Sequence, residues 1–414
     1  MTDTSTITEA PETEAETIKP TPGTALAVVP TPTSQGTLGE RKARKHRPAK
    51  AAPPATFVVD GRTFAATVKA VAKVAGKAIG NFTPSVVLAF KDQRVTVAAT
   101  DFEATATVKL AVKGKRATTV AVEAAKLRDF AKAFAGEGDV TITVAAGMLT
   151  ITAGETQFVM RIHEDVPAIV VPKLTGSAVF DLPAFQRVVD IAGPCASTDE
   201  ARPILTGINF DADGTAVATD AYRMAVVRDA PAGLAGVIVP AGAAKVAAAL
   251  FADAEAVTFG IDEGRLTIRS AATTFTVRLI EGEFPQWRSL LRTDDKYHVT
   301  VSRTQLLDAV TKVGLCSKDG QTPVSVTTNK GVMHLQVAPP DAATADADVT
   351  LTNGTRTVPG HGFNPKYMAQ MLKAVAGSTN VRLGYVDSLK PISVRDADGD
   401  SQWQLILMPV RIPE

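Results

Sequence analysis

The chain writes one passage twice. Residues 97–108 read VAATDFEATATV and residues 216–227 read AVATDAYRMAVV. In both, a β-prone run enters Ala-Thr-Asp and leaves through alternating apolar residues. Asp101 and Asp220 stand 119 residues apart (220 − 101). The echo continues in LTITAGETQFVMRIHEDVP from Leu149 and LTIRSAATTFTVRLIEGEFP from Leu266. Each copy carries two segments with apolar residues at three- and four-residue spacing, the mark of amphipathic helices. They are RTFAATVKAVAKVAGK and EAAKLRDFAKAFAG in the first copy, LPAFQRVVDIAG and PAGAAKVAAALFAD in the second. A weaker third copy follows. SRTQLLDAVTKVGLCSKDG parallels LPAFQRVVDIAGPCASTDE with Cys195 and Cys316 in matching places, and GFNPKYMAQMLKAVAG supplies its second helix. Repeats of this length are domains, not solenoid units. The pattern therefore predicts three domains of one α+β plan, two helices on antiparallel sheet in each, at 55–173, 174–294 and 295–414.

Residues 1–54 fall outside the repeat. They are rich in Thr, Pro, Glu and Ala and end in ERKARKHRPAKAAPP. Such a stretch buries too little apolar surface to offset its ordering entropy, so a disordered, Pro-rich tail with a basic end is expected. Its basic cluster is either a solvated run or an arm that touches phosphate.

Chemistry is sparse. The five histidines are scattered, and no pair has metal-ligand spacing on a helix. Cys195 and Cys316 recur by repeat, which favours structural thiols over a nucleophile. Asp101 and Asp220 are open to two readings, acid/base groups or residues that turn the chain after a strand, and the second is preferred. No segment gathers a nucleophile, a base and an orienting group. No cofactor or metal is implied, and the chain is read as a binding or scaffold protein instead of an enzyme. No apolar run reaches the length of a membrane span, and two cysteines in 414 residues fit a reduced, cytoplasmic compartment.

Two features stand out. Lys69, Lys73 and Lys77 fall at i, i+4 and i+8, on one helix face. Lys126, Lys245, Lys312 and Lys373 lie on the other predicted helices. They form either ordinary solvated faces or a shared cationic surface that holds a phosphate polymer without reading bases. The second feature is the apolar C-terminus QLILMPVRIPE, a late core strand or a wall left for a partner.

ILTGINF, ATDAYRMAV, FPQWRSLL, FNPKYMAQML, VDSLKPISV and LILMPVRI, in that order, resemble the bacterial sliding clamp family, the β subunit of DNA polymerase III. The resemblance covers about residues 55–414 and admits a specialised or phage-borne member. It implies a head-to-tail homodimeric ring that encircles double-stranded DNA without sequence preference and tethers polymerase. The lysines would then face DNA, and Phe158, Met160 and Leu315 would lie at the dimer seam. The resemblance further implies a cleft for short apolar peptides of polymerase and clamp-loader subunits. From the second domain it would take Leu205, Thr219, Tyr222, Arg223, Met224, Pro285 and Leu290. From the third it would take Asn364, Tyr367, Leu389, Pro391, Met408, Pro409, Val410, Arg411 and Ile412. Ala221 and Ser289 depart from the family pattern beside that cleft and bear on partner preference. The competing reading is a non-enzymatic triplicated scaffold that does not act on DNA.

Overall fold

The computed structural model describes residues 16–18, 53–76, 83–172, 174, 177–291, 295–317, 322–339, 343–354, 357–399 and 402–412. Within the N-terminal 54 residues it places one short strand, β1 (Glu16–Ile18), where the sequence predicts only a tail. The basic cluster of that tail lies outside the described residues.

The element order repeats three times. The first copy runs β2 (Ala55–Asp60), α1 (Gly61–Val71), β3 (Ser85–Lys91), β4 (Arg94–Thr100), β5 (Ala104–Ala111), β6 (Thr118–Glu123), α2 (Ala124–Phe134), β7 (Asp139–Ala145), β8 (Met148–Ala153) and β9 (Thr156–Arg161). After β10 (Ile169–Val171) the second copy follows: β11 (Ala178–Val179), α3 (Leu182–Ala192), β12 (Gly207–Phe210), β13 (Ala216–Thr219), β14 (Arg223–Val227), β15 (Val237–Pro240), α4 (Ala241–Leu250), β16 (Thr258–Asp262), β17 (Arg265–Arg269) and β18 (Thr273–Arg278). The third is β19 (Tyr297–Ser302), α5 (Arg303–Val313), β20 (Val324–Asn329), β21 (Val332–Val337), β22 (Ala345–Gly354), β23 (His361–Phe363), α6 (Pro365–Ala374), β24 (Asn380–Tyr385), β25 (Ile392–Asp396) and β26 (Trp403–Leu407).

The first helix of each copy starts at a residue whose side-chain oxygen takes an orphan backbone N–H of the first turn. Asp60 accepts from Thr63 at 2.8 Å, Asp181 from Ala184 at 3.0 Å and Ser302 from Gln305 at 3.5 Å. Within each copy the two helices pack together, α1 on α2, α3 on α4 and α5 on α6. Helix α1 buries Phe64, Ala65, Val68 and Val71 on one face and leaves Lys69 exposed. Phe64 stacks on Phe134 of α2 at 5.9 Å.

The chain divides into two compact units, Met1–Gly176 with Thr267–Val277, and Ser177–Leu266 with Arg278–Glu414. In the first unit β2-β7-β8-β9 form one sheet, and β6-β3-β4-β5 form another whose β5 edge takes on β18. β1 pairs with β10. In the second unit β14, the edge of β15-β12-β13-β14, takes on β26, and the sheet continues through β25, β24, β19, β22, β21 and β20 to β23. Strand β22 serves two partners. Its first half pairs with β21 and its end with β19, with a register shift between Thr300 and Val301.

Candidate functional site

Register brings four segments to one end of the sheet in the second unit. β13 ends at Thr219 opposite Met224, and Arg223 begins β14 opposite Leu407, the last residue of β26. Ile392, first in β25, also faces Leu407. β12 runs antiparallel to β13, so its first residue, Gly207, lies at the same end. Hence the Pro203–Thr206 turn with Leu205, the β13–β14 turn, the approach to β25 with Leu389 and Pro391, and residues 408–412 all emerge together.

The β13–β14 turn is built by short-range hydrogen bonds. Thr219 Oγ1 donates to the Arg223 carbonyl at 2.7 Å and accepts from Ala221 N–H at 3.1 Å. Asp220 Oδ1 accepts from the N–H groups of Tyr222 and Arg223 at 3.0 and 2.9 Å. Ala221 is held at φ 75°, where a side chain is disfavoured. The first copy repeats every bond: Thr100 takes the part of Thr219, Asp101 that of Asp220, and Phe102 has φ 73°. Both aspartates are thus turn formers. Glu103 and Ala104 occupy the places of Tyr222 and Arg223 and the turn still closes, so the identities of Tyr222 and Arg223 answer to something other than local folding.

Around this turn lie large apolar side chains that folding leaves uncovered. Leu389 is 66 % exposed, and Tyr222, Met408, Val410 and Ile412 are exposed as well. Met408 N–H donates to the Tyr222 carbonyl and Val410 N–H to that of Gly362, both at 2.8 Å, which lays the C-terminal segment along the site. A Cβ on Gly362 would stand 2.6 Å from the Val410 carbonyl, so this close approach requires glycine. Leu205 is half-buried. Met224 forms the floor, buried among Val217, Val226, Trp287 and Ile406, with Phe284 and Leu291 packed alongside. Pro285 and Leu290, on the segment that carries Trp287, are exposed. Asn364 caps α6, accepting from Lys366 and Tyr367 N–H.

Arg223 sits deeper than the sequence suggests. Its side chain is 7 % exposed and ion-paired with Asp220 at 3.0 Å. Nη1 donates to Gln370 Oε1 at 2.6 Å, and Cζ lies 4.5 Å from the centroid of the Tyr367 ring. Tyr367 in turn stacks on Tyr222 at 6.1 Å. Burial, reinforced by the Asp220 charge, pushes the Tyr367 phenol above its ordinary pKa. Nothing in the local pattern marks Gln370, three residues beyond Tyr367, as a member of the site. Burial pushes the nearby Cys195 thiol up to about 12, consistent with a structural, unreactive group.

The lysines divide. Lys126 is paired with Glu123, the residue before α2, at 2.9 Å, and Lys312 with Asp308 on its own helix at 2.6 Å. Lys69, Lys73, Lys245 and Lys373 are exposed and join no ion pair among the described residues, but α1 ends at Val71, so Lys73 stands past the helix and not on the predicted lysine face. Lys77 lies outside the described residues. Phe158 is half-buried on β9 against Phe130, 4.8 Å away, Met160 is buried, and Leu315 is 84 % exposed after α5. Among the described residues no group of His, Cys, Asp and Glu could hold a metal ion, and no helix is long and apolar enough to cross a membrane.

Three family models match in sequence: the DNA polymerase III beta subunit N-terminal domain over residues 54–169, its central domain over 181–286 and its C-terminal domain over 288–411. A Streptomyces coelicolor beta sliding clamp is 26 % identical over 345 residues, 78 % of this chain and 90 % of its own length. A Haemophilus influenzae beta sliding clamp is 23 % identical, covering 79 % and 92 %. Among solved structures, the DNA polymerase III beta subunit of Thermotoga maritima superposes with TM-score 0.74 at 19 % identity, over 87 % of this chain and 100 % of that one. A Bartonella birtlesii sliding clamp, solved bound to griselimycin, gives 0.74 at 23 % identity over 87 % and 100 %.

Proposed function

The chain belongs to the DNA polymerase III beta subunit family, whose three domain models follow one another across residues 54–411, and we propose from this that it is a sliding clamp: two copies close into a ring around duplex DNA and hold the replicative polymerase there. It works without catalysis. Tethering raises the polymerase's effective concentration at the primer end, so processivity comes from topology instead of tight binding. A cytoplasmic location belongs to the same reading.

One observation carries it. The last strand of a copy is taken up by the fourth strand of the copy before: β18 by β5, and β26 by β14. That leaves β9, whose described partner is β8, and the first half of β22, whose described partner is β21. Applied once more between two chains, the same contact joins β9 of one to β22 of the other. Such a contact is heterologous, and two chains satisfy both edges if the rotation closes. Phe158, Met160 and Leu315 fall at this seam.

Lys69, Lys73, Lys245 and Lys373 supply weak attraction to phosphates that does not read sequence and so permits sliding. Lys126 and Lys312 contribute less, since each is already paired. The uncovered apolar groups around Met224 form a groove for short apolar peptides of polymerase and clamp-loader subunits. The test is retention on nicked circular DNA after loading. The protein should stay bound to circles and run off when they are linearised, and equal loss from both forms would refute the ring.

A further inference from the structure

We propose that Gln370 is a positioning residue for the peptide cleft: through Arg223 it holds Tyr367 against Tyr222 and so fixes the aromatic wall on which a partner's apolar side chain docks. The inference rests on the cleft reading above.

The Arg223 guanidinium is planar, and its orientation over the Tyr367 ring decides whether it supports that ring or swings away. Asp220 holds Nε at 3.0 Å. One such bond leaves the plane free to pivot. The second, from Nη1 to Gln370 Oε1 at 2.6 Å, fixes it. Gln370 and Tyr367 are three residues apart on α6 and share a face. The guanidinium then spans from the β13–β14 turn to that face, with the ring of Tyr367 4.5 Å from its carbon and 6.1 Å from Tyr222. Nearly buried, Arg223 is held by neighbours and acts through Tyr367, and direct contact with a peptide is not required of it.

The internal repeat supplies a control. The same turn forms in the first copy with Glu103 and Ala104, so Arg223 is not needed to close it. The second helix of the following copy, α4, has Ala243 and Val246 where α6 has Tyr367 and Gln370, counted from the capping residues Pro240 and Asn364. Arginine, tyrosine and glutamine thus occur together at one junction and are missing together from the equivalent positions.

The experiment uses the full chain and the variants Gln370→Leu, Gln370→Asn and Gln370→Glu. Two readouts are taken: calorimetric titration with a Gln-Leu-Ser-Leu-Phe peptide, and the near-ultraviolet circular dichroism of the tyrosines in the free protein. Gln370→Leu should weaken the peptide on the order of tenfold, the loss of one hydrogen bond to a charged group, and should diminish the tyrosine band. Gln370→Asn, too short to reach, should move both readouts the same way. Gln370→Glu keeps the acceptor and should stay within about twofold of the unmodified protein. Undiminished affinity in Gln370→Leu, or a Gln370→Glu variant as weak as Gln370→Leu, would overturn the proposal. If the unmodified protein fails to bind the peptide, the cleft reading falls, and an unchanged tyrosine band in Gln370→Leu would then overturn the positioning claim separately.

Discussion

His361 lies 3 % exposed on β23, next to the glycine that anchors Val410. Its Nδ1 donates to the Pro359 carbonyl at 2.9 Å, and its buried Nε2 has no hydrogen-bond partner among the described residues. The ring sits 4.5 Å from Tyr385, a phenol that burial keeps protonated. Burial holds the imidazole below its ordinary pKa of 6.5, and the Pro359 bond only partly opposes this. As pH falls the unfolded chain therefore takes up the proton first, and stability is lost progressively below about 6.5. Thermal melts at neutral and mildly acid pH should show a larger acid loss for the unmodified protein than for His361→Asn. Parallel losses would remove His361 from the account. Sequence alone could not single it out among five histidines, because its burial is created by β20 and β24, strands distant in the chain. The aspartates of the repeated motif were legible for the opposite reason: their bonds reach only two or three residues.

The helices were readable from spacing because a helix face is defined within a few turns. The partners of the lysines were not. Lys126 and Lys312 meet carboxylates one turn away, a pattern the sequence does contain but which a count of basic residues overlooks. Arg223 required tertiary knowledge, since Gln370 lies 147 residues from it. The C-terminal segment was legible as apolar, and the structure supplies its attachment, through Met408 to Tyr222 and Val410 to Gly362. Because β26 ends at Leu407, deleting residues 408–412 removes the proposed wall of the groove and leaves β26 whole, at the loss of the single Val410 bridge to β23. Each docked apolar side chain gains about 1.5–3 kcal/mol from burial, and each 1.4 kcal/mol lost is roughly tenfold in affinity. The truncated protein should therefore bind the clamp peptide at least about tenfold more weakly while its oligomeric state is unchanged. Equal affinities in calorimetry would reduce the segment to an appendage of the core.

At the scale of the molecule, what matters is the fate of two strand edges, β9 and the first half of β22, whose described partners lie on one side only. An open strand is a template for uncontrolled association, and chains normally blunt or cover it. Among the described residues β9 and the first half of β22 have a strand partner on one side only, and their side chains match. On β9, Phe158 and Met160 are shielded while Gln157, Val159 and Arg161 are exposed. On β22, Ala345, Ala347 and Val349 alternate with exposed Asp346 and Asp348. An antiparallel seam, the orientation of both junctions inside the chain, would set apolar residues against apolar on one face and Arg161 near the aspartates on the other. Leu315, 84 % exposed at the end of α5, would gain the cover it lacks, since α5 packs on β22. Light scattering at micromolar concentration should give twice the chain mass. Leu315→Asp should shift the population toward monomer with each domain still folded. Arg161→Asp should do the same by placing like charges together, and adding Asp346→Arg and Asp348→Arg should restore the dimer. Restoration distinguishes a contact between these strands from a general loss of stability, which a second reversal of charge would worsen. A monomeric unmodified protein would refute the seam, and a triple variant no better associated than Arg161→Asp would place the closing contact elsewhere.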